Sequence, residues 1–305
     1  MRLASALRNL PTRDGVGASR VVIAPGRWAR VIDFLLARFP HISAEDWQDR
    51  LAHGLVLGDE GQPLQADTPA MDGGWLYYYR AVESETPIPF EHQVLYRDAH
   101  LLVVDKPHFL PVIPSGKYLQ ETLLTRLKKN LDVPDLVPIH RIDRDTAGLV
   151  SFSLQAASRD AYSALFRERR VEKTYEAVAG FNPALAMPVR RESRIRVGAH
   201  FMQQAEVPGP VNAVTDIDVL EVCGRWARYR LQPLSGQRHQ LRVQMMALGL
   251  PILNDGIYPQ LTPEGSSDQG KPLQLLAKSL AFKDPVSGRP MVFESQLRLL
   301  PLPSV

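Results

Sequence analysis

From residue 101 onward, short β-rich apolar runs alternate with stretches of helical periodicity, and this alternation limits the kind of fold open to the chain. Leu101-Leu102-Val103-Val104 is a strand-like run closed by Lys106-Pro107. A helix is expected over 118–130, with Leu119, Leu123, Leu124 and Leu127 on one face and Lys128-Lys129 near the C-terminal end, where cations suit the helix dipole. Gly148 to Leu154 reads as a strand, Ala156 to Arg169 as a helix, and Val171 to Val178 as a half-buried strand. Residues 213–222 and 226–233 read as paired strands around a turn at Cys223-Gly224-Arg225. His239 to Leu248 is helical again, Leu273 to Phe282 is a further strand, and 262–271 is a polar surface loop.

The N-terminal third follows a different pattern. Pro11, Gly15, Gly17, Pro25 and Gly26 break any periodicity, so 1–25 read as a loosely held leader. Val31, Phe34, Leu35 and Phe39 recur at helical spacing up to Pro40, and Ser43 can cap a second helical piece carrying Trp47 and Leu51. Strand-like runs follow, including Trp75 to Arg80, and Ser84 to Pro89 reads as a linker. The expected division is therefore a leader (1–25), a small domain (26–90) and a larger domain (91–305).

Charge separates the same parts. Residues 1–90 hold 9 Lys and Arg against 11 Asp and Glu, whereas 91–305 hold 27 against 22. A basic face in the larger part can follow phosphates, although ordinary surface scatter fits equally well. Cys223 is the sole cysteine, so no intrachain disulfide can form, which fits a reducing compartment such as the cytoplasm. No apolar run reaches membrane-spanning length, and no Cys/His spacing of the zinc type is present.

Three clusters can carry chemistry. In Pro138 to Leu149 a His, two Arg and two Asp fall within six residues, immediately before a buried-looking strand. Asp143 beside guanidinium groups stays ionised and can act as a nucleophile. The same cluster also suits a salt-bridged turn. In Pro233 to Arg242 a Ser-Gly turn opens a helix whose free N–H groups suit a phosphate, with Arg238 and Arg242 four apart on one face. A basic helix end on the surface explains that pattern too. Lys173 and Tyr175 point the same way from one strand, where Tyr175 either stacks on a base or is simply a half-buried core tyrosine.

Taken in order, the clusters resemble the RluA family of pseudouridine synthases. Residues 140–149 match His-Arg-Leu-Asp-Arg-x-Thr-Ser-Gly-Leu except at Ile142 and Ala147. Lys173 and Tyr175 match Lys-x-Tyr, and Ser235 to Arg242 is similar to Thr-Gly-Arg-x-His-Gln-Ile-Arg. Leu248 to Asp255 is similar to Leu-Gly-x-Pro-Ile-x-Gly-Asp, and Asp98 to Pro107 resembles the family's first catalytic strand. Gln237, Gln244, Asn254 and Leu276 depart from the usual Arg, His, Gly and His.

The resemblance implies an α+β pseudouridine synthase fold, a central mixed, largely antiparallel β-sheet flanked by helices. Ahead of it would stand a small α/β N-terminal domain, similar to a degenerate RNA-binding module. The implied reaction turns uridine into pseudouridine in structured ribosomal or transfer RNA after flipping the base out. Asp143, Tyr175 and Arg242 would be catalytic. Arg141, His140, Arg144, Lys173, Arg238 and His239 would contact RNA, with Arg141 filling the gap left by the base. The chemistry involves neither redox change nor net hydrolysis, so no metal or organic cofactor is implied. RNA is the expected partner, with no membrane and no obligate protein partner, and the enzyme is expected to be a monomer. The alternative is a non-catalytic RNA-binding protein that keeps the fold.

Overall fold

A computed structural model describes residues 10–13, 15–26, 28–80, 85–263 and 268–303. Contacts divide the chain into two compact units. One comprises Met1–Glu85, Pro114–Gln120 and Lys128–Pro134; the other comprises Thr86–Ile113, Glu121–Leu127 and Asp135–Val305. The longest segment of the first unit ends at Glu85, and Ser84 of the expected linker lies outside the described residues. Two short later segments join the first unit, which no local pattern announces.

The first unit holds strand β1 (Ser19–Val22), helices α1 (Val31–Arg38) and α2 (Ala44–Ala52), and strands β2 (Val56–Leu57) and β3 (Trp75–Tyr78). Its sheet order is β1-β3-β2. Ser43 caps α2 as its spacing predicts, its side chain accepting from the Asp46 N–H at 3.0 Å. The leader reading fails at β1, where all four residues pair with β3. Residues 1–9 and 14 lie outside the described residues. Within 19–22 the alternation of half-buried and exposed positions is too short to stand out beside so many turn formers.

The second unit is built on an eleven-stranded sheet. Its elements are β4 (Gln93–Arg97), β5 (Leu101–Lys106), α3 (Leu123–Leu131, which runs into the first unit), β6 (Val137–Pro138), β7 (Ala147–Ser153), α4 (Ala156–Arg167), β8 (Glu172–Gly180), β9 (Val189–Val197), β10 (Gln204–Val207), β11 (Ala213–Cys223), β12 (Trp226–Pro233), α5 (Gln240–Ala247), β13 (Leu275–Lys283) and β14 (Pro290–Glu294). The strand order is β10-β9-β11-β12-β8-β13-β7-β5-β4, with β14 beside β13 and β6 beside β7. Among the described residues, only β13 and β7 pair in parallel. The sheet is therefore mixed and largely antiparallel, as the resemblance implies. Helix α3 starts later than expected: Ser115 and Tyr118 form a β-bridge, and 119–122 are non-helical before Leu123.

Helix α5 is buried almost all round, including Gln240, Arg242 and Gln244. Such a helix survives only if each polar group finds a partner. Gln240 accepts from the Ser235 hydroxyl (2.8 Å) and the Gln237 N–H (3.0 Å), and donates to Val214 O and Thr215 Oγ1. Gln244 accepts from Thr215 Oγ1 at 2.6 Å and donates to Ser193 Oγ at 3.0 Å. These bonds fix α5 against β9 and β11. Gln244, a departure from the family pattern, therefore holds the scaffold.

The parallel contact between β7 and β13 dictates a glycine. Gly148 sits at φ +109°, opposite Ala277, and a Cβ there would lie 2.3 Å from the Ala277 carbonyl oxygen. Neither backbone can retreat without breaking its ladder. Gly148→Ala is expected to cost at least about 2 kcal/mol, read as a lower urea midpoint. An unchanged midpoint would show that the two strands can separate freely.

Candidate active site

Asp143 lies in the loop between β6 and β7, which pair with each other. Three anchors hold this loop. The imidazole Nε2 of His140 accepts from the Ser151 N–H at 3.1 Å, and the ring stacks on Phe166 at 4.5 Å. Burial, helped by the Lys173 charge, lowers the His140 pKa to about 3, so the ring is neutral and available as that acceptor. The Lys106 ammonium, wholly buried, donates to the carbonyls of Pro107 (2.9 Å) and Arg144 (3.0 Å). His108 Nδ1 meets the Asp145 carbonyl at 2.6 Å.

Arg242 reaches the loop from α5. Its Nη1 donates to Asp143 Oδ2 at 3.1 Å. Its Nε and Nη2 grip both oxygens of Asp255, at 2.8 and 2.5 Å. Asp255 Oδ1 also accepts from the backbone N–H groups of Ile257 and Tyr258. Arg242 is 1% exposed, so its charge is enclosed between two carboxylates. Burial works against that charge, and the two carboxylates outweigh it, raising the guanidinium pKa.

The two carboxylates are not equivalent. The Asp255 side chain is fully enclosed and bound at both oxygens, whereas that of Asp143 is 28% exposed. Among the described residues no hydrogen bond reaches Asp143 Oδ1, and His239 Nε2 stands 3.9 Å from it. Burial pushes the Asp143 pKa up, but His239, Arg242 and Lys106 together bring it below the ordinary carboxylate range. The result is an ionised carboxylate with one oxygen tethered and one open.

Tyr175 projects from β8, where it pairs with Leu231 and Ala277. Burial and then the Asp143 charge raise its phenol pKa far above neutral, so it stays protonated. On the same strand, Lys173 donates to the Ser235 carbonyl at 2.9 Å, and burial lowers its pKa to about 8. His239 stands at the N-cap of α5 in the left-handed region (φ 55°), its Nδ1 3.1 Å from the Tyr258 hydroxyl. Burial lowers its pKa against the pull of Asp143. Arg144 turns aside to Asp145 (Nε to Oδ1, 2.8 Å). Arg141 is exposed and has no side-chain partner among the described residues.

Two expectations need correcting. Arg238 and Arg242 do not share a helix face, because the left-handed turn at His239 leaves Arg238 outside α5, exposed, while Arg242 is buried. The Ser-Gly turn offers fewer free N–H groups than expected. The Gln237 N–H goes to the Gln240 side chain and the Gln240 N–H to the Gln237 carbonyl.

The other departures from the family pattern lie outside the charged triad. Gln237 is exposed, and Leu276 packs with Ala147, Val178 and Leu299. Asn254 sits at φ 62°, a conformation that Asn tolerates after Gly, and its amide donates to Pro272 O. Asp255, Lys106 and Tyr258 are site residues that sequence reasoning did not single out. Asp255 was visible only as the last residue of Leu248 to Asp255, with nothing to link it to Arg242.

Residues 100–247 match the family model of RNA pseudouridylate synthases. The chain is 33% identical over 208 residues to the dual-specificity RNA pseudouridine synthase RluA of Salmonella typhi, covering 66% of this chain and 91% of that one. The chain belongs to the RluA family of RNA pseudouridine synthases. It is also 28% identical over 240 residues to the mitochondrial tRNA pseudouridine(32) synthase of Saccharomyces cerevisiae, covering 76% of this chain and 51% of that one. Among solved structures, human RNA pseudouridylate synthase domain containing 4 aligns with a TM-score of 0.53 at 27% identity, covering 68% of this chain and 88% of that one. Like its family, this pseudouridine synthase is an isomerase with a mixed-sheet α+β fold. Among its described residues, no group of three or more His, Cys, Asp or Glu is placed to hold a metal, and no helix is long and apolar enough to cross a membrane.

Two outcomes follow for this synthase. Asp255→Asn, which removes the anchor of a buried guanidinium, should cost on the order of 3 kcal/mol, clearly more than Asp143→Asn in the same urea titration. Equal losses would show that Arg242 is not anchored by Asp255. Burial also lowers the Lys106 pKa to about 7, against the pull of Asp145 and Asp143. Above that pH the folded enzyme releases a proton that the unfolded chain keeps up to the ordinary lysine range. Stability from this group therefore rises with pH from about 7. Between pH 7 and 9, the urea midpoint of the wild type should rise relative to that of Lys106→Met; parallel curves would show that Lys106 stays charged.

Proposed function

We propose that this synthase isomerises uridine in ribosomal or transfer RNA, with Asp143 starting cleavage of the bond between uracil and ribose as nucleophile or base. The observation that carries this reading is the asymmetric grip on Arg242. Asp255 holds the guanidinium, and the guanidinium holds one oxygen of Asp143, leaving Oδ1 open toward an incoming sugar or base. An ionised, oriented carboxylate that needs little reorganisation is what such a step requires.

The other residues take roles around it. Exposed and unpartnered, Arg141 is free to enter the stack where the flipped nucleotide leaves a gap. Tyr175 packs against the detached uracil. Because its phenol holds its proton, any part it takes in removing the C5 proton requires a second acceptor, and Asp143 is the carboxylate whose charge it feels. Arg238, Arg144 and Lys173 supply positive charge along the RNA path. His239 orients the Asp143 carboxylate, and His140 supports the loop from behind. The protein's own groups suffice for this scheme without a cofactor.

Substrate choice follows the relatives' names. RluA of Salmonella typhi is a dual-specificity RNA enzyme, and the yeast protein acts on transfer RNA. We assign ribosomal and transfer RNA as the substrate class, and a monomer working in the cytoplasm, which the single cysteine suits. Against the non-catalytic alternative, Arg242 holds Asp143 at 3.1 Å and the Asp143 charge acts on the Tyr175 phenol, which supports an intact catalytic set.

Asp143→Asn should abolish tritium release from 5-tritiated uridine in ribosomal and transfer RNA transcripts, while RNA affinity stays within a few-fold of wild type. Residual turnover at a substantial fraction of the wild-type rate would remove Asp143 from the first chemical step.

A further inference from the structure

The turn joining β9 to β10 is fastened at its base and bare at its tip. Gly198 N–H bonds Gln203 O at 2.9 Å, and Gln203 N–H bonds His200 O at 2.8 Å, closing the turn tightly. Below it, the Gln203 amide donates to Ile257 O at 2.9 Å, and the Gln204 N–H donates to the Tyr258 hydroxyl at 2.7 Å. Tyr258 is 3% exposed, and the same hydroxyl lies against His239, the neighbour of Asp143 Oδ1. The hairpin base is thus attached to the residues that line the catalytic carboxylate.

At the tip, Phe201 is 72% exposed. The His200 ring lies beside it, 4.7 Å away and tilted by 38°. His200 Nδ1 accepts from the Met202 N–H at 3.3 Å, which fixes that ring. Phe201 stands at a tight turn where Val197 and Met202 are exposed as well, and leaving such side chains in water forgoes the gain of burial. Its surroundings are cationic. The Arg238 guanidinium donates to the Phe201 and Met202 carbonyls at 3.4 and 3.5 Å, and Arg196, five residues before Phe201 on β9, is exposed. An exposed aromatic face beside an exposed guanidinium is the arrangement that binds unstacked nucleotides, with π-face to base and cation to phosphate.

We propose that Phe201, steadied by His200, stacks on an unpaired base of the substrate RNA next to the target uridine, making this hairpin tip a substrate-selecting element. The proposal rests on the RNA-modifying reading above and adds a preference for single-stranded loops over duplex. Stacking carries no charge, so it contributes to affinity without changing salt dependence, whereas a phosphate contact changes both.

The test uses the full chain as wild type, Phe201→Ala, Phe201→Leu and Phe201→Trp. Binding to a fluorescein-labelled oligouridylate and to a short RNA duplex is followed by anisotropy at several salt concentrations. Tritium release from 5-tritiated transcripts is measured in parallel. Phe201→Ala and Phe201→Leu should weaken oligouridylate binding about tenfold, with the salt slope unchanged and duplex binding unaffected. Phe201→Trp should restore wild-type affinity, and Arg238→Ala should lower the salt slope by about one. The proposal is overturned if Phe201→Ala binds within twofold of wild type, if Phe201→Leu behaves as wild type, or if duplex binding falls equally. No oligouridylate binding by the wild type also overturns it. So does a dimer that Phe201→Ala converts to monomer in sedimentation, since the tip would then seat a second copy. If the wild type binds but releases no tritium, the synthase reading fails while the stacking result still stands. If it turns over and the Phe201 variants match it, stacking alone fails.

Discussion

A single guanidinium shared unequally between two carboxylates is the interaction around which the second unit is organised. Arg242 is almost wholly buried, and a buried cation without partners would be untenable. Asp255 and two backbone amides settle one side of it, leaving a fixed positive charge that faces Asp143. Asp143 is therefore the partner that can change. It keeps one oxygen unbonded and some exposure to solvent, and it stays ionised without being saturated.

Much of the sheet exists to hold that arrangement still. Helix α5 is buried on all sides, and Gln240 and Gln244 tie it to β9 and β11 through bonds that satisfy every polar atom of both amides. The loop carrying Asp143 is pinned by the neutral imidazole of His140 and by the buried ammonium of Lys106. Gly148 permits β13 to lie parallel and close to β7 just beyond that loop. Packing here is a means of electrostatic preorganisation, because small displacements of Arg242 or Asp143 would change the charge felt at Oδ1.

The same network extends outward through Tyr258. Its hydroxyl joins His239 on one side and the base of the β9–β10 hairpin on the other. Recognition at the hairpin tip and chemistry at Asp143 would thus share one rigid connection.

The sequence by itself singled out the candidate chemistry-bearing residues and determined most of the regular elements. The Pro138–Leu149 cluster and its ordered companions point to Asp143, Tyr175 and Arg242, and apolar periodicity places β5, β7, α4, β8, β11 and β12 to within a few residues. Those features are local, because hydrophobic period and turn chemistry act over a few residues. Only the tertiary structure decided which charges meet. Arg242 and Asp255 stand 13 residues apart, and Asp143 stands 99 from Arg242, so no local pattern pairs them. The separation of Arg238 from Arg242 depended on one left-handed residue, His239, which helical spacing does not reveal. The β9–β10 hairpin escaped notice because β9 is rich in arginine and β10 is only four residues long, both only partly buried, so their pattern is carried by pairing rather than by hydrophobicity.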